Sequence, residues 1–104
     1  MTPDIGAYST TELASAIRRG EISPIAAVED SLTKIDEGND ALNAIVTLLD
    51  EEAVERAEAA QQAIDRGDSL GPLHGVPMVI KDLFDFKAGV RNTIGSAVFA
   101  DFVP

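Results

Sequence analysis

Cysteine and tryptophan are absent from this chain of 104 residues, and histidine and tyrosine occur once each. Without thiols there is no disulfide scaffold, no cysteine nucleophile and no cysteine-ligated zinc, a composition that fits a reducing compartment. Basic side chains are few: 8 Lys and Arg stand against 18 Asp and Glu, a formal net charge of −10. A phosphate-backbone binder needs a basic patch to release counterions, and anionic membranes attract basic segments, so neither role fits. No apolar run approaches the roughly 20 residues of a spanning helix. Met1-Thr2-Pro3-Asp4 has neither the basic start nor the apolar stretch of a secretory leader. The expectation is a cytoplasmic protein with no direct nucleic-acid or membrane contact.

What is present suits one domain. Apolar residues make up 45% of the chain and charged ones 25%, enough to build a core and too few charges for wholesale disorder. A chain of this size buries only about two-thirds of its unfolded surface, so its stability on its own is modest. Charge is unevenly placed. Residues 1–70 hold 15 acids and 5 bases, whereas residues 71–104 hold 3 of each, with most of the aromatics and three of the five prolines. The division reads as an acidic, solvated helical layer (1–70) followed by a segment meant for burial (71–104). Lysine occurs only at Lys34, Lys81 and Lys87, which singles out each of them.

Local signals predict the elements. Ser9 with Glu12 three residues on is a capping-box pattern, opening a helix that carries Leu13, Ala16 and Ile17 on one face and stops at Gly20. Ser23-Pro24 opens a second helix, with Ile25, Val28, Leu32 and Ile35 at helical spacing and Gly38-Asn39 as its stop. The β-branched run Leu42 to Leu49 predicts a strand. Asp50 is placed to cap a third helix through about Arg66, with Ala53, Ala57, Ala60 and Ile64 as a slim apolar stripe and Gly67 closing it. After the loop Asp68 to Pro72, the run Val76-Pro77-Met78-Val79-Ile80-Lys81 predicts a strand buried on both faces, with Pro77 tolerable near its start. Beyond Asp82, aromatics alternating with turn residues predict irregular structure.

The order helix-helix-strand-helix-strand is an α/β layer pattern. Two strands rarely make a stable two-sided sheet, so the expectation is the front part of something larger. Phe84, Phe86, Phe99 and Phe102 are expected to lie exposed and to drive self-association or partial unfolding of the isolated chain.

Lys81 is the first candidate for chemistry. An ammonium just after a buried strand can lose its water, and desolvation favours the neutral amine, which is a base. The commoner role of a charge at a strand end is simply to mark the exit to water, here beside Asp82 or Asp85. His74, in a Gly/Pro loop with no triad spacing around it, reads as a turn or packing residue. Glu51, Glu52, Glu55, Glu58 and Asp65, interspersed with Arg56 and Arg66, read as a solvated helix face. Of the six serines, Ser9 and Ser23 are caps, Ser15 and Ser31 lie on helices, Ser69 is in a loop, and Ser96 lacks a nucleophile elbow. There is no metal-ligand cluster, calcium loop, Walker loop or Gly-x-Gly-x-x-Gly, so no metal and no cofactor is expected.

Gly71-Pro72-Leu73-His74-Gly75-Val76-Pro77, the short apolar run to Ile80, Lys81-Asp82 and then Thr93-Ile94-Gly95-Ser96 together resemble the amidase signature family. The upstream helices and Asn43-Ala44 resemble the opening of such enzymes too, so the likeness covers nearly all of the chain but only the first part of a family member. The resemblance implies an α/β/α sandwich around a mixed sheet, incomplete in this chain, and hydrolysis of small-molecule carboxamides by a Ser–cis-Ser–Lys triad. Lys81 matches the lysine of that triad, implying that it takes and returns protons through the bridging serine. The cis peptide of that serine costs about 3 kcal/mol and must be held by its surroundings.

Both family serines and the oxyanion-hole amides belong to a Gly/Ser-rich stretch after the lysine, and no Gly-Gly-Ser occurs here. None of the six serines matches them. The expectation is therefore an N-terminal segment of an amidohydrolase, supplying Lys81, inactive alone and completed by the remainder of the fold in the same gene product or in a second chain. Two further readings stand beside it: part of the amide-hydrolysing component of a tRNA-dependent amidotransferase, or a non-catalytic helical interaction module. A homo-oligomer is a further form open to it.

Overall fold

Ser9 opens the first helix with a reciprocal pair of bonds: its hydroxyl accepts from the Glu12 main-chain N–H at 3.1 Å, and the Glu12 carboxylate accepts from the Ser9 N–H at 3.3 Å. In the computed structural model, which describes residues 4–104, helix α1 then runs Thr10–Arg18. Its end is a Schellman motif, in which Gly20, at φ +78°, donates to Ile17 O and Glu21 donates to Ala16 O. Ser23 caps α2, Pro24–Leu42, by accepting from the Ala26 N–H at 3.0 Å, with Pro24 at the first helical position where a missing N–H costs nothing. Helix α3, Asp50–Asp65, begins one residue earlier than the capping expectation: Asp50 is itself helical, and Asp50, Glu51 and Glu52 complement the helix dipole from within the first turn. Gly67, at φ +74°, donates to Ile64 O and Asp68 to Ala63 O, a second Schellman ending.

The core gathers where α1 meets the start of α2. Leu13, Ala16, Ile17, Ile22 and Ala27 are buried together, and Ile5, Tyr8, Ala26, Ile64 and Val76 pack against them. Helix α3 lies along α2 with Ala57 buried between them. Small side chains on α3 permit that close approach. The loop after α3 folds back over the core. The Arg18 guanidinium donates to the carbonyls of Gly71 and Pro72, both at 3.4 Å, and His74 Nε2 donates to Ala60 O on α3 at 2.9 Å. Gly75 sits against the core at φ +82°, where an added Cβ would stand 3.0 Å from Ile17 Cγ2 and 3.1 Å from Pro24 Cγ.

Neither of the two expected strands forms among the described residues, which are helical and irregular only. Over residues 42–49 the cause is local. α2 continues through Gly38 and Asn39 to Leu42, and Asn43 ends it in the left-handed region at φ 48°. The Asn39 side-chain amide then takes both backbone groups of Ile45, accepting from its N–H at 2.8 Å and donating to its carbonyl at 2.9 Å. A side chain thus stands where a neighbouring strand would. Over 76–81 the cause is the missing partner. Val76 N–H closes a turn onto Leu73 O, but no hydrogen bond among the described residues engages the amides of Met78, Val79, Ile80 or Lys81. Met78 is 81% exposed, Val79 71% and Ile80 54%, against the burial expected of them. A ladder is a property of two segments, and only one is here.

Gly75→Ala is expected to destabilise the fold by about 1–3 kcal/mol, from the left-handed backbone and the crowding at Ile17 and Pro24. Gly71→Ala, with nothing within 4 Å of its added Cβ, should change stability by less than about 0.5 kcal/mol. Thermal unfolding of the two variants checks this, and equal melting points contradict it.

Candidate functional site

Lys81 lies at the end of the extended run, and its side chain is exposed. The desolvated position expected at the end of a buried strand is not present among these residues, because the apolar run before it is itself uncovered. No ion pair among the described residues involves Lys81, although Asp82 and Asp85 are near in sequence. Its main chain is held: Lys81 O accepts from the Leu83 N–H at 2.9 Å.

Asp82 turns away from Lys81 to Thr93. One carboxylate oxygen accepts from the Thr93 N–H at 2.7 Å and the other from the Thr93 hydroxyl at 2.5 Å. These bonds, the hydroxyl first and the amide second, hold the Asp82 carboxyl below the usual aspartate range, with smaller help from the charges of Arg91 and Lys81. Thr93 in turn begins a tight turn. Ile94 at φ +54° and Gly95 at φ +69° occupy its centre, and Ser96 N–H closes it onto Thr93 O at 2.9 Å. Two left-handed central residues are the pattern of a type I′ turn, where Asn and Gly are usual. A β-branched isoleucine there costs about 1–2 kcal/mol.

Asn92 secures the turn from beneath. It is the one buried polar residue among those described, and it uses every handle: Oδ1 accepts from the Ile94 N–H at 2.9 Å, Nδ2 donates to Asp85 O at 3.2 Å, and its main-chain N–H donates to Phe102 O at 3.1 Å. The Arg91 guanidinium donates to Ala100 O at 2.8 Å. Phe102 stands edge-on to Phe86 and to Phe99, with ring centroids 6.0 and 6.2 Å apart. Three of the four phenylalanines expected to be loose therefore form a small cluster, still part-exposed, and Phe84 projects to solvent.

An ion pair that sequence reasoning missed joins this segment to the helices. Lys87 Nζ stands 3.0 Å from Glu52 Oε1, which also meets Arg56 at 3.1 Å. Lys87 first and Arg56 second hold the Glu52 carboxyl below its ordinary range. Only the scarcity of lysine marked Lys87 for attention. Ser96 is occupied in capping, its hydroxyl accepting from the Val98 N–H of the short 3-10 turn Ala97–Phe99. Among the described residues no group of His, Asp and Glu is gathered for a metal ion, and no helix is long and apolar enough to cross a membrane.

The model of the Amidase family matches residues 26–104. The A subunit of glutamyl-tRNA(Gln) amidotransferase from Neorickettsia sennetsu is 40% identical over 101 residues, which is 97% of this chain and 21% of that protein. The protein of the same description from Alkalilimnicola ehrlichii is 42% identical over 94 residues, 90% of this chain and 19% of that one. Among solved structures, a bacterial aryl acylamidase belonging to the amidase signature enzymes superposes with a TM-score of 0.85 at 34% identity, covering 92% of this chain and 20% of that one. The chain thus spans about a fifth of the length of these relatives.

The Asp82–Thr93 bonds carry a pH dependence of definite sign. A carboxyl that titrates lower folded than unfolded stabilises above the unfolded value, about 4 for aspartate, and loses that contribution as the pH falls through the lower folded value. Hydrogen-exchange protection of the Thr93 amide, corrected for intrinsic rate, is expected to be constant from pH 7 to about 5 and to fall below about 4. Unchanged protection at pH 2 to 3 contradicts this.

Proposed function

The chain belongs to the Amidase family, and from that premise we propose that it supplies the proton-carrying lysine, Lys81, of a carboxamide C–N hydrolase. The observation that carries the reading is the run from Gly71 to Lys81-Asp82 and on to Thr93-Ile94-Gly95-Ser96, all within the matched residues. In this reading the chain is the N-terminal portion of one amidase-signature domain: residues 1–70 form an acidic outer helical layer, and residues 71–104 carry the Gly/Pro loop and the lysine. Residues 42–49 and 76–81 join a mixed sheet when the remaining strands stand beside them. Covering Met78, Val79 and Ile80 in that sheet would also bury the approach to Lys81, which is the condition for an amine to serve as base.

The chemistry follows from that placement. The Lys81 amine takes a proton from a bridging serine, which takes one from the nucleophilic serine as that oxygen attacks the amide carbonyl. The proton returns along the same path to the departing amine, and water then hydrolyses the acyl-enzyme. Both serines lie outside the residues present, so this chain by itself has a base without a nucleophile. The substrate class is a linear carboxamide, the setting is cytoplasmic, and no cofactor is required.

A second reading has its own support: the relatives from Neorickettsia and Alkalilimnicola are amidotransferase components. In that case the same lysine would serve amide hydrolysis within a tRNA-dependent amidotransferase, and with a net charge of −10 this chain would not itself grip the tRNA.

In the assembled enzyme, this chain together with the serine-bearing remainder, Lys81→Ala should lower hydrolysis of a panel of simple amides and anilides by about 100- to 10,000-fold, and the chain alone should show no turnover. Hydrolysis by the chain alone that Lys81→Ala abolishes contradicts the reading. Tight binding of the remainder without any turnover favours the non-catalytic module.

A further inference from the structure

Asp82 follows Lys81 directly, yet both of its carboxylate oxygens are committed to Thr93, on the far side of the loop. We propose that Asp82 and Thr93 are positioning residues for Lys81: their two hydrogen bonds clamp the main chain immediately after the lysine to a strained turn, and so fix where its amine stands. The proposal rests on the reading of Lys81 as the proton carrier and adds to it the device that holds the lysine in register.

Four observations meet here. The Lys81 main chain is gripped twice, through its own carbonyl by the Leu83 N–H and through its neighbour's carboxylate by Thr93. The anchor is stiff, because the Ile94-Gly95 turn is held in a left-handed conformation that isoleucine disfavours, by Asn92 Oδ1 on the Ile94 N–H and by Thr93 Oγ1 on the Gly95 N–H at 3.3 Å. Backbone strain of this kind persists only where surrounding bonds over-determine it, and it gathers at functional sites. The anchor is also tied to the rest of the segment, since buried Asn92 reaches Asp85 and Phe102. Finally, the Asp82 carboxylate is kept from pairing with the Lys81 ammonium. A carboxylate at ion-pair distance would favour the charged amine, the form that cannot accept a proton. Turned to Thr93, the same carboxylate fixes the lysine without holding it charged.

The test compares kcat, KM, their pH profiles and melting temperature in the assembled enzyme, on the member of an amide and anilide panel that the parent hydrolyses fastest, for Lys81→Ala, Asp82→Ala, Thr93→Val and Thr93→Ser. The expected result is a loss of activity in Lys81→Ala. Asp82→Ala and Thr93→Val should lower kcat about 10- to 100-fold, the scale of an ångström-sized misplacement, with KM within about twofold and the profile unmoved along the pH axis. Thr93→Ser, which restores the hydroxyl, should recover most of the parent kcat. A parental kcat in Asp82→Ala or Thr93→Val overturns the clamp while leaving the lysine reading intact. A displaced pH profile in Asp82→Ala overturns it too, since Asp82 would then be the charge partner of Lys81. Undiminished activity of Lys81→Ala removes the lysine reading and the clamp with it. If Asp82→Ala does not fold, Thr93→Val against Thr93→Ser decides the matter: equal kcat values in that pair overturn the proposal.

Discussion

An extended backbone satisfies its N–H and C=O groups only against a neighbour, and that constraint governs everything around Lys81. Residues 78–81 run out from the helical core with their amides unengaged and Met78, Val79 and Ile80 facing water. Burying three such side chains would contribute about 1.5–3 kcal/mol each, a gain this arrangement leaves untaken. The helices upstream do not suffer in the same way, because a helix closes its own hydrogen bonds. The chain is thus self-sufficient up to Gly75, which docks against Ile17 and Pro24, and dependent on others immediately beyond.

The segment after Lys81 solves its own problem differently. Instead of a ladder it uses side chains as backbone partners: Asp82 for Thr93, Asn92 for Ile94 and Asp85, and Ser96 for Val98. The Glu52–Lys87 ion pair then ties the whole to the first turn of α3. Such pairs at part-exposed positions contribute little stability; their effect here is to orient the loop on the helices. The lysine therefore lies between a well-anchored loop on one side and an unpaired run on the other.

The helical part of this arrangement was legible because its signals are local. Ser9 with Glu12, Ser23 with Pro24, and Gly20 and Gly67 at the helix ends each act within a few residues, and each is found where it was expected. What failed depends on distance. The run 42–49 has the β-branched content of a strand, but Asn39 reaches forward to occupy Ile45, an interaction that composition does not encode. The run 76–81 has the apolar continuity of a buried strand, which is a statement about partners rather than about itself. At the site, Lys81 was visible through the motif around it, and His74 fits the packing role read for it through its bond to Ala60. The Asp82–Thr93 clamp was not visible: Lys-Asp and Thr-x-Gly-Ser can be read as separate motifs, and nothing in either announces that they bond. Nor would sequence place Ile94 at a left-handed position, since β-branched residues are disfavoured there.

The most direct measurement is amide hydrogen exchange at Met78, Val79 and Ile80, followed in this chain alone and again in the assembled enzyme. The account predicts near-intrinsic exchange in the chain alone and slowing by about a thousandfold or more on assembly, as these amides enter a ladder of core stability. Equal, unprotected exchange in both states would contradict it, because Lys81 would then stand at the end of no strand and in no water-poor site.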